Sequence, residues 1–181
     1  MSFKEITIKE IGNATSFTRT SIYNYFQTKE EIFLALLQRE YELWIEDLNS
    51  ICNDNDLTTK AEFAEALSHS GESRKNLLKL LSMNHYDMEE NSRMELLVEF
   101  KVAYGNSMEA VRQCLDKFCL DMNEKEKQNF IFSFFPFMFG IDPYTVVTDK
   151  QREAMKQAGI NYIYMTIYEI TFAEVKRLLN V

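Results

Sequence analysis

In 181 residues the chain has only 5 glycines and 2 prolines. These two residue types are the strongest local breakers of regular structure, and a fold of many short strands needs them at its turns. Their scarcity excludes collagen-like and Gly/Pro-linker chains and argues against an all-β sandwich. Leu, Met, Glu and Lys, which lose little freedom in a helix, are abundant instead. The expected fold is all-α.

A chain of this length buries roughly 70% of its unfolded surface and needs no disulfide or metal to hold a core. The formal charge is −8. That excludes a wholly basic nucleic-acid binder but leaves room for a small basic face on an acidic body. The charge is unevenly spread. Residues 1–34 hold four bases (Lys4, Lys9, Arg19, Lys29) and four acids (Glu5, Glu10, Glu30, Glu31), so the whole excess of acid lies beyond them. Cys52, Cys114 and Cys119 are odd in number and form no CxxC, which fits reduced thiols in a cytoplasmic protein. No basic-then-apolar signal opens the chain, and the longest apolar run, Phe130 to Phe139, is too short to span a bilayer. No membrane partner is expected.

Helix boundaries follow from caps. Thr7-Ile8-Lys9-Glu10 is a capping box, with Ile8 and Ile11 as the buried face of the short helix it starts. A break follows at Thr15-Ser16-Phe17, and Thr18 N-caps a second short helix over Arg19 to Phe26. Thr28-Lys29-Glu30-Glu31, another capping box, opens a long helix that Asn53-Asp54-Asn55-Asp56 ends. Further helices are expected over 60–70, 73–82, 92–119 and 124–139, the 92–119 helix central and buried because it is apolar on most sides. Pro136 is expected to kink or end the next. Thr148 caps a helix that Gly159 closes, and a last helix runs over 160–179. This gives roughly nine helices.

Two short helices and a tight turn followed by a long helix suggest a helix-turn-helix. Within the second, Ile22 and Phe26 lie four apart and face inward, leaving Arg19, Thr20, Tyr23 and Asn24 outward. That face is polar and aromatic, with one cation. No Asp or Glu occurs between Thr18 and Lys29. A major groove needs such a surface: hydrogen-bonding groups for base edges, flat groups for thymine methyls, and no carboxylate to repel phosphate. Lys29, in the first turn of the long helix, is placed to grip a phosphate.

Residues 7–33, TIKEIGNATSFTRTSIYNYFQTKEEIF, resemble the DNA-binding segment of tetracycline-repressor (TetR) family regulators. The matching features are Thr-Ile-Lys-Glu-Ile at 7–11, Phe17-Thr18-Arg19, the Ile22-Tyr23-x-Tyr25-Phe26 core and Lys29-Glu30-Glu31-Ile32. The resemblance implies a homodimeric regulator, usually a repressor, on double-stranded operator DNA. A small-molecule effector bound in the C-terminal domain re-spaces the two heads and releases the operator. Carried over by position, Thr7, Thr18, Arg19, Thr20, Tyr23, Asn24, Tyr25 and Lys29 are the DNA-binding residues. Ile8, Ile11, Phe17, Ile22, Phe26 and Ile32 form the head's core. Two features depart from the family pattern. Thr15-Ser16 stands where Ala-Gly is usual, so Ser16 is expected to carry a left-handed strain of about 1 kcal/mol. The family's full helix before the Phe3-to-Ile8 stretch has no counterpart after Met1, so the head is expected to be N-terminally incomplete, with Ile8, Ile11 and Phe26 losing cover.

The organisation expected is a reading head over 1–45 and a larger helical effector-binding and dimerisation domain over 46–181. Ligand-lining candidates are His85 and Tyr86 in an acidic loop, Phe100, Tyr104, and Phe132 and Phe135 beside Pro136, where a proline kink among phenylalanines opens space. An aromatic- and Met-rich body suggests an apolar or amphipathic effector. The Ile160, Ile163, Ile167, Ile170 stripe of the last helix packs inward or on a second subunit. Only two histidines occur, so neither a metal site nor a cofactor is expected. No G-x-S-x-G, P-loop, GxGxxG or HExxH is present, and no enzyme is expected. A different class of reading remains open: a helical dimeric interaction module derived from such a regulator that no longer reads DNA.

Overall fold

The computed structural model describes residues 6–83 and 85–181, without the His85 side chain. Among the described residues are ten helices and no strand. They are α1 (Ile8–Ala14), α2 (Arg19–Tyr23), α3 (Lys29–Asn53), α4 (Lys60–Ser73), α5 (Lys75–Leu81), α6 (His85–Glu90), α7 (Met94–Phe118), α8 (Glu124–Thr145), α9 (Asp149–Gln157) and α10 (Ile167–Leu179).

Local chemistry sets most of the starts. Thr7, Thr59, Asn123, Thr148 and Thr166 each N-cap a helix through a reciprocal capping box, closing two orphan backbone donors apiece. Gly159, at φ 69°, closes α9: its N–H reaches the Lys156 carbonyl, and the next N–H reaches Met155. A side chain here would strain the left-handed backbone.

Helices α3 and α7 pack along each other as the spine. Along α3, Leu34, Leu37, Tyr41, Trp44 and Leu48 recur three or four apart and are all buried. That single stripe meets α4, α5, α6 and α7 together, so one helix organises the core. Helix α10 lies against α4 and α8, and α8 also meets α5 and α7. The Trp44 indole, fully buried, donates to Ser70 Oγ at 3.0 Å.

Several expectations are corrected. The acidic loop around His85 is the short helix α6. Helix α2 ends at Tyr23, and its last turn tightens as the Tyr25 N–H reaches back three residues to the Ile22 carbonyl at 3.0 Å. Helix α8 runs through Pro136 and Pro143 to Thr145. Both prolines lie on its exposed side, where the missing backbone N–H costs least because water reaches the helix. The last helix starts at Ile167, not 160, since the Thr166–Glu169 box fixes its first turn, and Ile160 and Ile163 are exposed. Helix α7 buries one face only; Met94, Val98 and Val102 are exposed. Cys114 and Cys119 are buried and Cys52 half-buried, all as free thiols.

Candidate nucleic-acid interface

The reading head is built from α1, α2 and the first turns of α3. Helix α1 meets α2 at Gly12, where an added Cβ would touch the Phe17 carbonyl at 3.4 Å and the Ile22 side chain at 3.7 Å. The small residue lets the two helices approach. Ile22 is the buried anchor of the head, with Ile8, Ile11, Phe26 and Ile32 half-buried around it. Phe17, expected in that core, is instead 63% exposed, because it sits in the turn between α1 and α2 rather than on a packed helix face.

The turn also corrects the expectation of strain at Ser16. Asn180 is the one non-glycine residue with positive φ among the described residues, so Ser16 carries no left-handed penalty. Thr15 makes the break instead, in extended conformation (φ −122°, ψ 171°), with its hydroxyl donating to the Ile11 carbonyl at 2.9 Å.

Of the residues expected to meet DNA, Thr7, Thr18, Arg19, Thr20, Tyr23, Asn24 and Tyr25 are exposed and Lys29 is half-buried. Thr18 is tied to its own helix, its Oγ1 accepting from the Ser21 N–H. Arg19 lies over the Tyr23 ring, 5.4 Å from the centroid, and its Nη2 reaches the Tyr23 hydroxyl at 3.4 Å. Thr7, Arg19, Tyr23 and Lys29 come together around an open concavity of about 470 Å³. Lys9, which the sequence reading left out of the DNA-binding set, joins them. Ile6 and Ile8 complete the lining, and the Glu10 carboxylate stands at its edge, accepting from the Thr7 N–H at 2.7 Å and the Thr7 hydroxyl at 2.9 Å. Three cations on one surface of an otherwise acidic protein make a local positive field. A phosphate-bearing strand fits this chemistry. The signal for Lys9 lay in the sequence, on the exposed side of α1 next to Thr7, but only the fold shows that it shares a surface with Lys29.

One buried carboxylate is the hub of the polar contacts between head and body. Glu31, 1% exposed, accepts from Arg93 Nε at 2.7 Å, Arg93 Nη2 at 3.1 Å, the Arg93 N–H at 3.1 Å and the Gln27 N–H at 2.6 Å. Arg93 also donates to the Tyr25 carbonyl at 2.8 Å, and the Thr28 hydroxyl donates to the Asn91 carbonyl at 3.0 Å. Burial by itself pushes the Glu31 carboxyl up; the Arg93 guanidinium and the two N–H groups outweigh it and hold the group below the usual carboxylate range. The expected capping box at Thr28 is therefore half made. Thr28 Oγ1 accepts from the Glu31 N–H, but the carboxylate turns to Gln27 and Arg93 instead of back to Thr28. Nothing local in the sequence marks this pairing across 62 positions.

In the body, the ligand-lining candidates separate. Phe100 and Phe135 are buried and Tyr104 half-buried, in one aromatic cluster with Tyr41 and Trp44. Phe132 is outside it, 62% exposed on the solvent side of α8. Tyr86 is 88% exposed on α6, and the side chain of His85 lies outside the described residues. No three His, Cys, Asp or Glu side chains converge for a metal among the described residues, and no single helix is long and apolar enough to cross a membrane.

A helix-turn-helix presenting a cationic face, joined to a helical body, is the build of a DNA-binding transcriptional regulator. The family model "Bacterial regulatory proteins, tetR family" matches residues 2–36, and "Tetracyclin repressor-like, C-terminal domain" matches 38–171. The chain belongs to the TetR family. No curated protein matches it.

Proposed function

We propose that this protein is a cytoplasmic repressor that binds a palindromic operator as a homodimer and is released by a small-molecule effector. The reading head (residues 1–45) and the effector-binding body (46–181) share α3, which runs unbroken from Lys29 to Asn53. The observation that carries the proposal is the cationic surface where Lys9, Arg19 and Lys29 meet Thr7 and Tyr23. In this reading Thr7, Lys9 and Lys29 hold phosphates. Arg19, Thr20, Tyr23 and Asn24 enter the major groove, and Thr18 and Tyr25 flank them on the backbone.

The second subunit docks on the outer faces of α8 and α10, so the spacing of half-sites mirrors the distance between heads. Its chemistry is non-catalytic. The effector prefers a body conformation that spaces the heads wrongly, and only its differential affinity for the two states releases DNA. Phe100, Tyr104 and Phe135 are proposed to meet it.

Fluorescence anisotropy on the intergenic DNA beside the protein's own gene tests this, at several salt concentrations and against scrambled DNA. Sequence-dependent binding that weakens as salt rises is expected. Equal, weak binding to every sequence in a random-operator selection would overturn the repressor reading.

A further inference from the structure

The aromatic cluster contains a polar group with no partner. Tyr41 is fully buried, and its hydroxyl makes no hydrogen bond among the described residues. A buried phenol O–H without an acceptor is a standing cost to the fold, and such groups are few in native proteins. Three rings pack on the Tyr41 ring, Trp44 at 6.5 Å, Phe100 at 6.1 Å and Tyr104 at 5.6 Å between centroids, and Phe135 packs in turn on Trp44 and Tyr104 at 5.8 and 5.6 Å. Burial, followed by the neighbouring Tyr104, pushes the Tyr41 phenol well above its ordinary range, so it stays a neutral donor at any physiological pH. In the cage Trp44, Phe100 and Phe135 are fully buried, while Tyr104 is half-buried. Tyr104 stands edge-on to both Tyr41 (75°) and Phe135 (88°), the one ring of the cage with a side open to solvent.

We propose that this cage is the effector site and that it takes a flat, uncharged aromatic molecule carrying a hydrogen-bond acceptor such as a carbonyl. The ligand ring replaces the Tyr104 ring between Tyr41 and Phe135, and the Tyr41 hydroxyl donates to the acceptor. The inference rests on the reading of the body as an effector domain. Lys101 lies against the outer rim, 5.3 Å from the Phe100 centroid and 6.0 Å from the Tyr104 centroid, but it is paired with Glu89 at 2.6 Å. A neutral ligand fits because the ammonium is already matched and a buried ion would have to compete for it. Specificity comes from the donor. A site built around a buried O–H rejects the analogue that leaves it unpaired.

The chain has one tryptophan, and it is in the cage, so Trp44 emission reports occupancy without DNA. Acetophenone and ethylbenzene, alike in shape but differing in the acceptor, are titrated into the full chain with calorimetry alongside and N-acetyltryptophanamide as the quenching control. Acetophenone is expected to bind about fivefold or more tightly than ethylbenzene, and Tyr41→Phe to abolish that preference. Tyr41→Phe is also expected to raise the Tm by about 2–6 °C, since it removes an unpaired buried group. Tyr104→Ala, which preforms a ring-sized cavity, is expected to bind both probes more tightly than the parent chain. Equal affinity for the two probes, a preference that survives Tyr41→Phe, or no binding to Tyr104→Ala each overturns the proposal. So does a lowered Tm in Tyr41→Phe, the sign that a buried water already satisfies the hydroxyl. Because these readouts involve no DNA, failure of the repressor reading would leave them untouched.

Discussion

Glu31→Gln weakens the polar contact between head and body while keeping its shape. The native carboxylate accepts four N–H groups, two of them from a guanidinium. A glutamine offers one acceptor oxygen and turns its NH₂ toward a donor, so at least one buried N–H loses its partner. Breaking a fully buried ion pair costs about 3–5 kcal/mol. Arg93 is 40% exposed and recovers water when released, so the expected loss is lower, about 2–3 kcal/mol. For a chain of this size that lowers the Tm by roughly 5–10 °C.

The pH dependence carries the sign. Glu31 has its carboxyl held down in the folded state, so its contribution is fully present above the unfolded carboxylate range near pH 4.3 and is lost as pH falls through the lower folded value. The stability gap between the native chain and Glu31→Gln is therefore widest at pH 7 and closes in acid. Urea unfolding at pH 7 and pH 3.5, with Arg93→Met and the double variant completing a cycle, measures both. A coupling below about 0.5 kcal/mol, or a gap that does not change with pH, would refute the reasoning.

Lys9→Ala and Lys29→Ala are each expected to weaken DNA binding to a similar degree on specific and scrambled sequences and to reduce the salt slope by about 1, whereas Arg19→Ala is expected to weaken the specific sequence more than the scrambled one, all read by anisotropy. An unchanged slope in either lysine variant would remove that side chain from the phosphate-contacting set. Ser16→Gly is expected to leave stability unchanged or lower it by a few tenths of a kcal/mol, because Ser16 has no left-handed strain to relieve; a raised unfolding midpoint would contradict this. Gly159→Ala is expected to cost about 1 kcal/mol in thermal unfolding, since its φ of 69° is unfavourable for any side chain.

The parts of the fold legible in the sequence are those whose cause spans one helical turn. Thr7 with Glu10, Thr18 with Ser21, Asn123 with Glu126 and Thr148 with Gln151 mark helix starts because both partners are within three residues. The outward set of α2 is legible for the same reason: once Ile22 is inward, helical geometry turns Arg19, Thr20 and Tyr23 out. The Ile160–Ile163 stripe places the start of the last helix too early, because the Thr166–Glu169 box, a local signal, outranks periodicity where the two conflict.

Tertiary structure decided what local patterns cannot encode. Phe132 and Phe135 read alike in the apolar run, yet one faces solvent and the other the Tyr104 ring, since burial depends on which helix lies alongside. Lys9 became part of the cationic surface only when α1 was laid beside α2 and the start of α3. The Glu31 carboxylate was free, by sequence, to close its own cap. It instead holds Arg93, because folding brings the start of α7 against the turn before α3 and makes a buried charge seek the nearest cation.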